Sequence, residues 1–197
     1  SFSSRIKEEL SRHMSPARHC QIAEIAAILS LCGRIQISGD DHYSIKIHTE
    51  NVTVARKCFT LLRKTFNTEM NVSTRQSRNP RGSLSYEVTS FGGLEPVKHM
   101  LVQNQCCRRA YIRGAFLASG SLSDPEKGYH FEIVCSGEEK ADELREMLAS
   151  FGIDARITLR KRSYVLYVKE GSQIADLLNV MEAHVALMNF ENVRILK

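Results

Sequence analysis

The stretch Cys107-Arg-Arg-Ala-Tyr-Ile-Arg-Gly-Ala-Phe-Leu-Ala-Ser-Gly120 has a weaker copy earlier in the chain, Cys20-Gln-Ile-Ala-Glu-Ile-Ala-Ala-Ile-Leu-Ser-Leu-Cys-Gly33. An offset of 87 residues (120 − 33 = 87) aligns Gly33 with Gly120 and Cys20 with Cys107. Each stretch predicts a helix that ends at a glycine, the residue that most easily adopts the left-handed conformation after a helix. The chain is therefore predicted to contain two related halves.

Small residues line one face of each predicted helix. Ala110, Gly114 and Ala118 stand four residues apart and so share a face with almost no side chain. The corresponding positions of the first copy are Ala23, Ala27 and Leu31. Such faces are also found in ordinary protein cores. Two copies in register, each followed by similar strand patterns, favour two helices that pack with closely spaced backbones.

The length and charge of the chain restrict its class. Its 197 residues suffice for one domain or for two fused half-sized units, and 43% hydrophobic and 25% charged residues are typical of globular proteins. Residues 1–103 carry 14 Lys/Arg and 9 Asp/Glu, a net +5, whereas residues 104–197 carry 13 of each. This basic excess permits a polyanionic partner. Without a long apolar run or a signal-peptide core, we expect a cytoplasmic protein with no membrane partner.

The cysteines give no sign of a metal site in the sequence. The six stand at positions 20, 32, 58, 106, 107 and 135, with no Cys-x-x-Cys pair and no clustered histidine. We interpret them as reduced, structural thiols, and we expect neither a metal nor another cofactor. A response of the adjacent Cys106 and Cys107 to oxidation is the less favoured alternative.

Hydrophobic periodicity predicts the elements of the first half. They are a helix 3–10 capped by Ser3 or Ser4, a helix 17–32, strands 34–38 and 42–48, a helix from its cap at Asn51 to Phe66, strands 70–75 and 84–88, and a short helix 95–102. The order is that of a helix, a hairpin, a second helix and a second hairpin, preceded by an additional N-terminal helix.

The second half predicts a similar order. Its elements are a helix 106–119, a strand 129–134, a helix 138–151, strands 153–159 and 163–168, and helices 172–180 and 182–195. The prediction is therefore an α+β protein built from duplicated αββαββα halves, residues 1–105 and 106–197. A pseudo-two-fold axis would pass near Ala27 and Gly114.

Alternation along the strands predicts one apolar and one polar face for each sheet. The two polar faces would form a curved surface with basic hairpin tips, which suits the major groove of duplex DNA. The candidate DNA-binding residues are Arg34, Gln36, Lys46, Arg75, Arg78, Arg81, Arg156, Arg160, Lys161 and Arg162. The competing interpretation is an ordinary solvated sheet face, and Glu132 is out of place among these basic residues.

Ile112-Arg-Gly-Ala-Phe-Leu-Ala-Ser-Gly120 is similar to the LAGLIDADG motif of homing endonucleases, whose fold is a doubled αββαββα saddle over DNA. Together with Phe2–Leu10 and the block Cys106–Ser121, it makes the whole chain resemble the WhiA family of bacterial sporulation and cell-division transcription regulators. The resemblance implies antiparallel sheets that form a saddle. It also implies a C-terminal helix-turn-helix domain absent from this chain, so we expect a piece of a longer regulator.

The resemblance also implies where this chain departs from the nucleases. In homing endonucleases the last acidic residue before each motif glycine binds the divalent metal ions that activate water. The corresponding positions here are Cys32 and Ser119, and residues 25–32 and 112–119 contain no Asp or Glu. Since Mg²⁺ requires hard oxygen ligands, we expect no catalytic residue and no metal at these degenerate positions.

The resulting hypothesis is a non-catalytic, nucleoid-associated module that binds or positions double-stranded DNA, weakly alone, beside a separate helix-turn-helix reader. The main alternative is a protein-interaction or regulatory domain, whose saddle receives another protein or the absent C-terminal domain. A working endonuclease is disfavoured by the missing carboxylates. RNA binding is disfavoured because the surface lacks the aromatic pattern that stacks on single strands.

Overall fold

The computed structural model describes residues 1–38, 42–66, 69–76, 84–91 and 104–197. Its elements in chain order are α1 (Phe2–Arg12), α2 (Arg18–Cys32), β1 (Gly33–Ser38), β2 (His42–Thr49), α3 (Val52–Phe66), β3 (Glu69–Gln76), β4 (Leu84–Phe91), α4 (Gln105–Ser119), β5 (Gly120–Leu122), β6 (Phe131–Cys135), α5 (Glu138–Ala149), β7 (Arg156–Arg160), β8 (Ser163–Val168), α6 (Gly171–Val180) and α7 (His184–Ile195). None of these helices has both the length and the apolar content of a membrane span. The predicted helix 95–102 lies outside the described residues.

The strands form two four-stranded antiparallel sheets with the same connectivity. The first has the order β1-β2-β4-β3 and the second the order β5-β6-β8-β7, so each strand has its counterpart four strands later. The duplicated α+β fold is thereby confirmed. The division of the chain between residues 105 and 106 stays a prediction.

Strand β5 was not predicted from the sequence. Gly120–Leu122 is only three residues long, which is too short to show an alternating pattern, yet it pairs with Phe131–Ile133. The neighbouring prediction for strand 153–159 was also shifted, because β7 begins at Arg156. With β5 included, both halves contain the full helix–strand–strand–helix–strand–strand order.

The N-terminal cap of α3 was predicted correctly, and that of α1 was not. Asn51 caps α3 by accepting hydrogen bonds from two backbone amides at its N-terminus, as expected. Helix α1 is capped by Ser1, whose Oγ accepts from the Ser4 amide at 3.1 Å. The prediction of Ser3 or Ser4 as the cap was therefore wrong.

Helix α1 connects the first half of the chain to the second. The hydroxyl of Ser3 donates to the carbonyl of Leu122 at 2.8 Å and accepts from the amide of the same residue at 2.7 Å. At the other end of α1, the carboxylate of Glu9 accepts hydrogen bonds from the amides of Val185 and Ala186 at the start of α7. Glu9 thus satisfies two donors that the N-terminus of α7 leaves without partners in the helix.

The closest contact between the halves is that of α2 with α4. A Cβ built on Gly114 would lie 2.3 Å from the carbonyl oxygen of Glu24 and 3.0 Å from the Cβ of Ala27. Four further small residues of the two helices form a common cluster, Cys20, Ala23, Cys107 and Ala110. The residues that meet across the two helices are those that the repeat offset of 87 aligns, such as Ala27 and Gly114. Equivalent residues therefore face each other along both helices, and the helices run parallel. The predicted paired-helix axis is confirmed.

The glycines that end α2 and α4 do not adopt the predicted left-handed conformation. Gly33 has a φ of −112° and Gly120 a φ of −91°, both extended. Each strand follows its helix directly, and the backbone turns so sharply that a Cβ on Gly120 would lie 2.3 Å from Cδ2 of Phe116. The glycines are required for space and not for a positive φ.

The larger apolar core of the described residues extends under both sheets. It includes the buried faces of α1, α3 and α4, the inward residues of β6 and β8, and α6. Phe116 of α4 stacks on Phe131 of β6 with their ring centroids 5.5 Å apart. The two halves therefore share one hydrophobic core, with the polar sheet faces on its outside.

We predict that Gly114→Ala lowers the free energy of unfolding by about 2 kcal/mol, because its methyl group meets a helix carbonyl that can move only if α2 and α4 separate. Gly137→Ala is the matched control, since a Cβ there meets nothing within 4 Å. Urea denaturation of the two variants measures the difference. Equal stability of both variants would show that the helix contact tolerates a side chain.

Candidate nucleic-acid interface

The first sheet presents a pair of like charges on its polar face. Arg34 on β1 lies directly opposite Lys46 on β2. Arg34 is exposed and Lys46 half-buried, whereas Ile45 and Ile47 are buried, so the predicted alternation is confirmed at these positions. Like charges on directly opposite residues destabilise a sheet. An anion bound over the pair would remove that cost.

The remaining candidates of the first half are placed by backbone register or lie outside the described residues. Gln36 pairs with Ser44, and Arg75 pairs with Ser85. Gln36 is two residues from Arg34, the partner of Lys46. Arg75 is four residues from Asn71, which pairs with Thr89, the other partner of Lys46. Because a strand alternates with a period of two, both positions are in phase with Lys46. Arg78 and Arg81 lie outside the described residues, and their role stays a prediction.

The second sheet carries four exposed basic residues at one hairpin. Arg156 and Arg160 are exposed on β7, and Lys161 and Arg162 form the two-residue turn to β8. Lys161 has a φ of +58°, an uncommon and mildly unfavourable conformation for a residue with a side chain. The turn keeps two cationic side chains at its tip despite this cost.

Glu132 neutralises part of this basic surface. Its carboxylate accepts two hydrogen bonds from the Arg160 guanidinium, at 3.0 and 3.1 Å, and lies 3.1 Å from Nε2 of His130. Although partial burial alone would raise it, the hydrogen bonds from Arg160 and His130 lower the pKa of Glu132. Arg160 is therefore engaged within the sheet, which the sequence did not indicate.

The degenerate positions lie at equivalent ends of the paired helices. Cys32 is the last residue of α2 and Ser119 the last residue of α4. Burial raises the pKa of Cys32 to about 12, so its thiol stays protonated at neutral pH. The Ser119 hydroxyl donates to the carbonyl of Val134 at 2.7 Å. Both side chains are neutral, and neither offers the carboxylate oxygens of a magnesium site.

Two lysines approach the same end of α2. Lys140 donates a hydrogen bond to the carbonyl of Ser30, in the last turn of the helix. Burial lowers the pKa of Lys7, an effect that its interaction with Cys32 opposes, and its Nζ lies 5.7 Å from the ring centroid of Phe116. Lys140 thus places positive charge where the C-terminal dipole of α2 is negative.

Glu24, the acidic residue of α2, is committed elsewhere. Its side chain is fully buried, and its Oε1 accepts from Nζ of Lys57 at 3.1 Å and from Nε of Arg113 at 3.2 Å. Arg113 extends the network to Glu182 at 3.0 Å and to Ser15 at 2.8 Å. A buried carboxylate paired with two cations is held in place by them, so Glu24 does not substitute for the missing acids.

His13 completes this network at its solvent-facing side. Its Nε2 lies 3.0 Å from a carboxylate oxygen of Glu182. Burial, followed by the nearby charge of Arg113, lowers the pKa of His13 despite the attraction of Glu182. The imidazole is therefore neutral in the folded protein at neutral pH.

The lowered pKa of His13 predicts a pH dependence of stability. Above the unfolded-state pKa of about 6.5 both states are neutral; below it, the unfolded state binds the proton first, so folding stability falls. Urea unfolding at about pH 7.5 and about pH 5.5 measures this decrease, which His13→Gln should reduce. His184→Gln, at the exposed start of α7, is the control. An equal effect of the two variants would exclude His13 as the source.

Folding also groups His19 with three cysteines. The ligand atoms of His19, Cys20, Cys106 and Cys107 all lie within 4.8 Å of one another, and Nε2 of His19 is 3.5 Å from Sγ of Cys106. The sequence-based expectation of no clustered histidine was wrong, because His19 directly precedes Cys20 and the fold adds Cys106 and Cys107. The repeat offset was the available signal, because it places His19-Cys20 on Cys106-Cys107 (106 − 19 = 87).

The duplicated helices and sheets define a LAGLIDADG-like fold. The structure is similar to the homing endonuclease I-DmoI in complex with DNA and Mn, with a TM-score of 0.58 and 12% identity, over 83% of this chain and 97% of that chain. It is more similar to full-length WhiA from Thermatoga maritima, with a TM-score of 0.84 and 21% identity, over 99% of this chain and 66% of that chain.

Two family models match the sequence, the WhiA N-terminal LAGLIDADG-like domain at residues 18–97 and the WhiA LAGLIDADG-like domain at residues 108–197. A probable cell division protein WhiA of Lachnoclostridium phytofermentans is 50% identical over 218 aligned positions, covering 100% of this chain and 70% of the relative. The chain belongs to the WhiA family, and it spans about two thirds of the length of these relatives.

Proposed function

We propose that this chain is a DNA-associated domain of a bacterial transcription regulator, in which a homing-endonuclease scaffold holds duplex DNA without cutting it. The observation that carries the proposal is the cross-strand pair Arg34–Lys46 on an exposed sheet face. Such a pair is unfavourable in isolation and becomes favourable against a phosphate backbone. The basic turn at Lys161 and Arg162 supplies a second contact on the other sheet.

The biological setting of the proposal comes from the family. The relative from Lachnoclostridium phytofermentans is described as a probable cell division protein. We extend this to a role in cell division and sporulation, at the nucleoid, with sequence reading by a separate helix-turn-helix domain. In this arrangement, the saddle contributes affinity and orientation through phosphate contacts, which carry no sequence information themselves.

The proposal of a non-catalytic domain rests on the residues at the two helix ends. Metal-assisted cleavage of a phosphodiester requires carboxylates that hold the ions beside the scissile bond. Cys32 and Ser119 are neutral at those positions, and Lys140 adds positive charge next to α2. This charge repels divalent cations while it attracts phosphate.

We expect duplex binding by this chain to weaken with salt, and Arg34→Ala/Lys46→Ala or Lys161→Ala/Arg162→Ala to weaken it further. Removing one basic residue that binds a phosphate should reduce the slope of log affinity against log salt by about 1. Arg145→Ala is the matched control, because Arg145 pairs with Asp142 on helix α5, away from the sheet faces. Fluorescence anisotropy with a labelled duplex measures the affinity. If neither double variant weakens duplex binding more than Arg145→Ala does, the proposed interface is wrong.

Glu132→Gln should act in the opposite direction. The change removes one negative charge from the saddle and releases the Arg160 guanidinium for a phosphate, so we expect several-fold tighter duplex binding at low salt. The same anisotropy titration measures it. Weaker binding in this variant would mean that Glu132 positions Arg160 for DNA instead of competing with DNA for it.

Supercoiled plasmid should stay intact when incubated with the chain and Mg²⁺ or Mn²⁺, with a LAGLIDADG endonuclease on its own target as the positive control. Agarose electrophoresis detects nicked and linear products. Nicking that EDTA abolishes and that copurifies with the chain would contradict a non-catalytic role.

A second candidate function is a protein-interaction domain, favoured by the engagement of Arg160 with Glu132 and by the neutral charge balance of residues 104–197. A photo-cross-linking amino acid at Lys161 in cells distinguishes the two. DNA adducts support the first candidate, and adducts with protein alone support the second.

A further inference from the structure

The N-terminal ends of α2 and α4 bring four metal-ligating side chains together, at the end of the paired helices opposite Cys32 and Ser119. One imidazole and three thiols contribute ligand atoms that all lie within 4.8 Å of one another. The group comprises His19, Cys20, Cys106 and Cys107. All six cysteines of the chain are free of disulfides, so the three thiols are available as ligands.

The four ligands obey the internal symmetry of the protein. His19 and Cys106 are the second residues of their helices, and Cys20 and Cys107 are the third. The same offset of 87 residues relates the members of each pair (106 − 19 = 87 and 107 − 20 = 87). The pseudo-two-fold axis that brings Gly114 against Ala27 therefore also brings two equivalent two-residue ligand pairs face to face.

We propose that this group binds one Zn²⁺ ion in a tetrahedral His–Cys₃ site that joins the two halves of the fold. Three thiolates and one imidazole are a common ligand set of structural zinc. Zinc–sulfur bonds of about 2.3 Å require sulfur atoms about 3.8 Å apart. The ligand atoms lie within 4.8 Å of one another, so the sulfur atoms need small side-chain rotations to reach this value. The 3.5 Å between Nε2 of His19 and Sγ of Cys106 already fits the nitrogen–sulfur spacing of about 3.5 Å that a Zn–N bond of about 2.0–2.1 Å requires.

The surroundings suit such a site. Cys20 and Cys107 are 7% and 2% exposed, whereas His19 and Cys106 are exposed, so the ion has two anchored ligands and an open route from solvent. Zn²⁺ with three thiolates carries a net charge of −1. The positive ends of two helix dipoles meet at this point, and neither helix has a side-chain cap on its free amides.

A zinc ion here would connect the halves at the N-terminal ends of the paired helices, where the packed residues are small. The neighbouring small residues Ala17, Ala23 and Ala110 bury little area. The ion would therefore replace a hydrophobic contact with four coordinate bonds, two from each half. This role is independent of whether the saddle binds DNA.

The test uses the 197-residue chain purified without chelator. Plasma mass spectrometry should find about one zinc per chain, and apoprotein titrated with Co²⁺ should show the sulfur-to-cobalt charge-transfer band and the visible absorption of a tetrahedral site. A metal-free protein with six free thiols that gives neither cobalt signal would overturn the proposal.

Variants locate the ion. His19→Ala/Cys106→Ala removes the two exposed ligands without altering the core, so the protein should fold and bind cobalt at least about 100-fold more weakly. Cys32→Ser, at the other end of α2, is the matched control and should keep the metal. Unchanged affinity in the double variant would overturn the site.

A redox role of the same residues gives a different result. In that case, mass spectrometry of the air-exposed protein would show a disulfide that joins Cys20 to Cys106 or Cys107, with the loss of two hydrogen atoms and no bound metal. That outcome would replace the zinc site with a dithiol pair. A zinc-loaded protein whose three thiols resist alkylation until the metal is chelated would support the zinc site.

Discussion

The contact of Gly114 with the carbonyl of Glu24 sets the geometry of this protein. Because no side chain stands between them, α2 and α4 approach closely and run parallel, and each leads directly into the first strand of its own sheet. The positions of the two sheets follow from this contact. A surface that continues from one sheet to the other is possible only while the two helices stay together.

The charged residues around that contact help to hold the two halves together. Buried Arg113 joins Glu24 of α2 to Glu182 after α6, which fixes the halves at a cost in desolvation. At the other end of the helices, Cys32 and Ser119 are neutral and lysines approach the helix terminus. Acidic residues are thus used to hold the fold together, and neither helix ends in a carboxylate.

The features that could be predicted from the sequence are those that repeat between the two halves or alternate along a strand. The offset of 87 residues placed Ala27 against Gly114, and alternation placed Lys46 on the polar face between Ile45 and Ile47. Strand β5 was missed because three residues carry no period. The reason for Gly120 was missed because a contact with Phe116 is a steric property of the folded chain that no local propensity reports.

The candidate site was less predictable than the fold, because side-chain pairing depends on long-range contacts. The hydrogen bond from Arg160 on β7 to Glu132 on β6 joins two residues that are 28 positions apart in the sequence. Nothing in that spacing indicates that the two side chains would meet. The group of His19 with the cysteines depends on the same superposition of the halves. Its signal was present in the repeat, which aligns Cys20 with Cys107 but pairs His19 with a different residue, Cys106.

Hydrogen–deuterium exchange of the chain with and without saturating duplex at low salt tests the central claim most directly, since it reads both sheets in one experiment. We predict slower exchange in β1–β2 and in the β7–β8 hairpin, while α5 is unchanged. Protection confined to α7, or no protection in either sheet, would contradict a saddle that holds DNA.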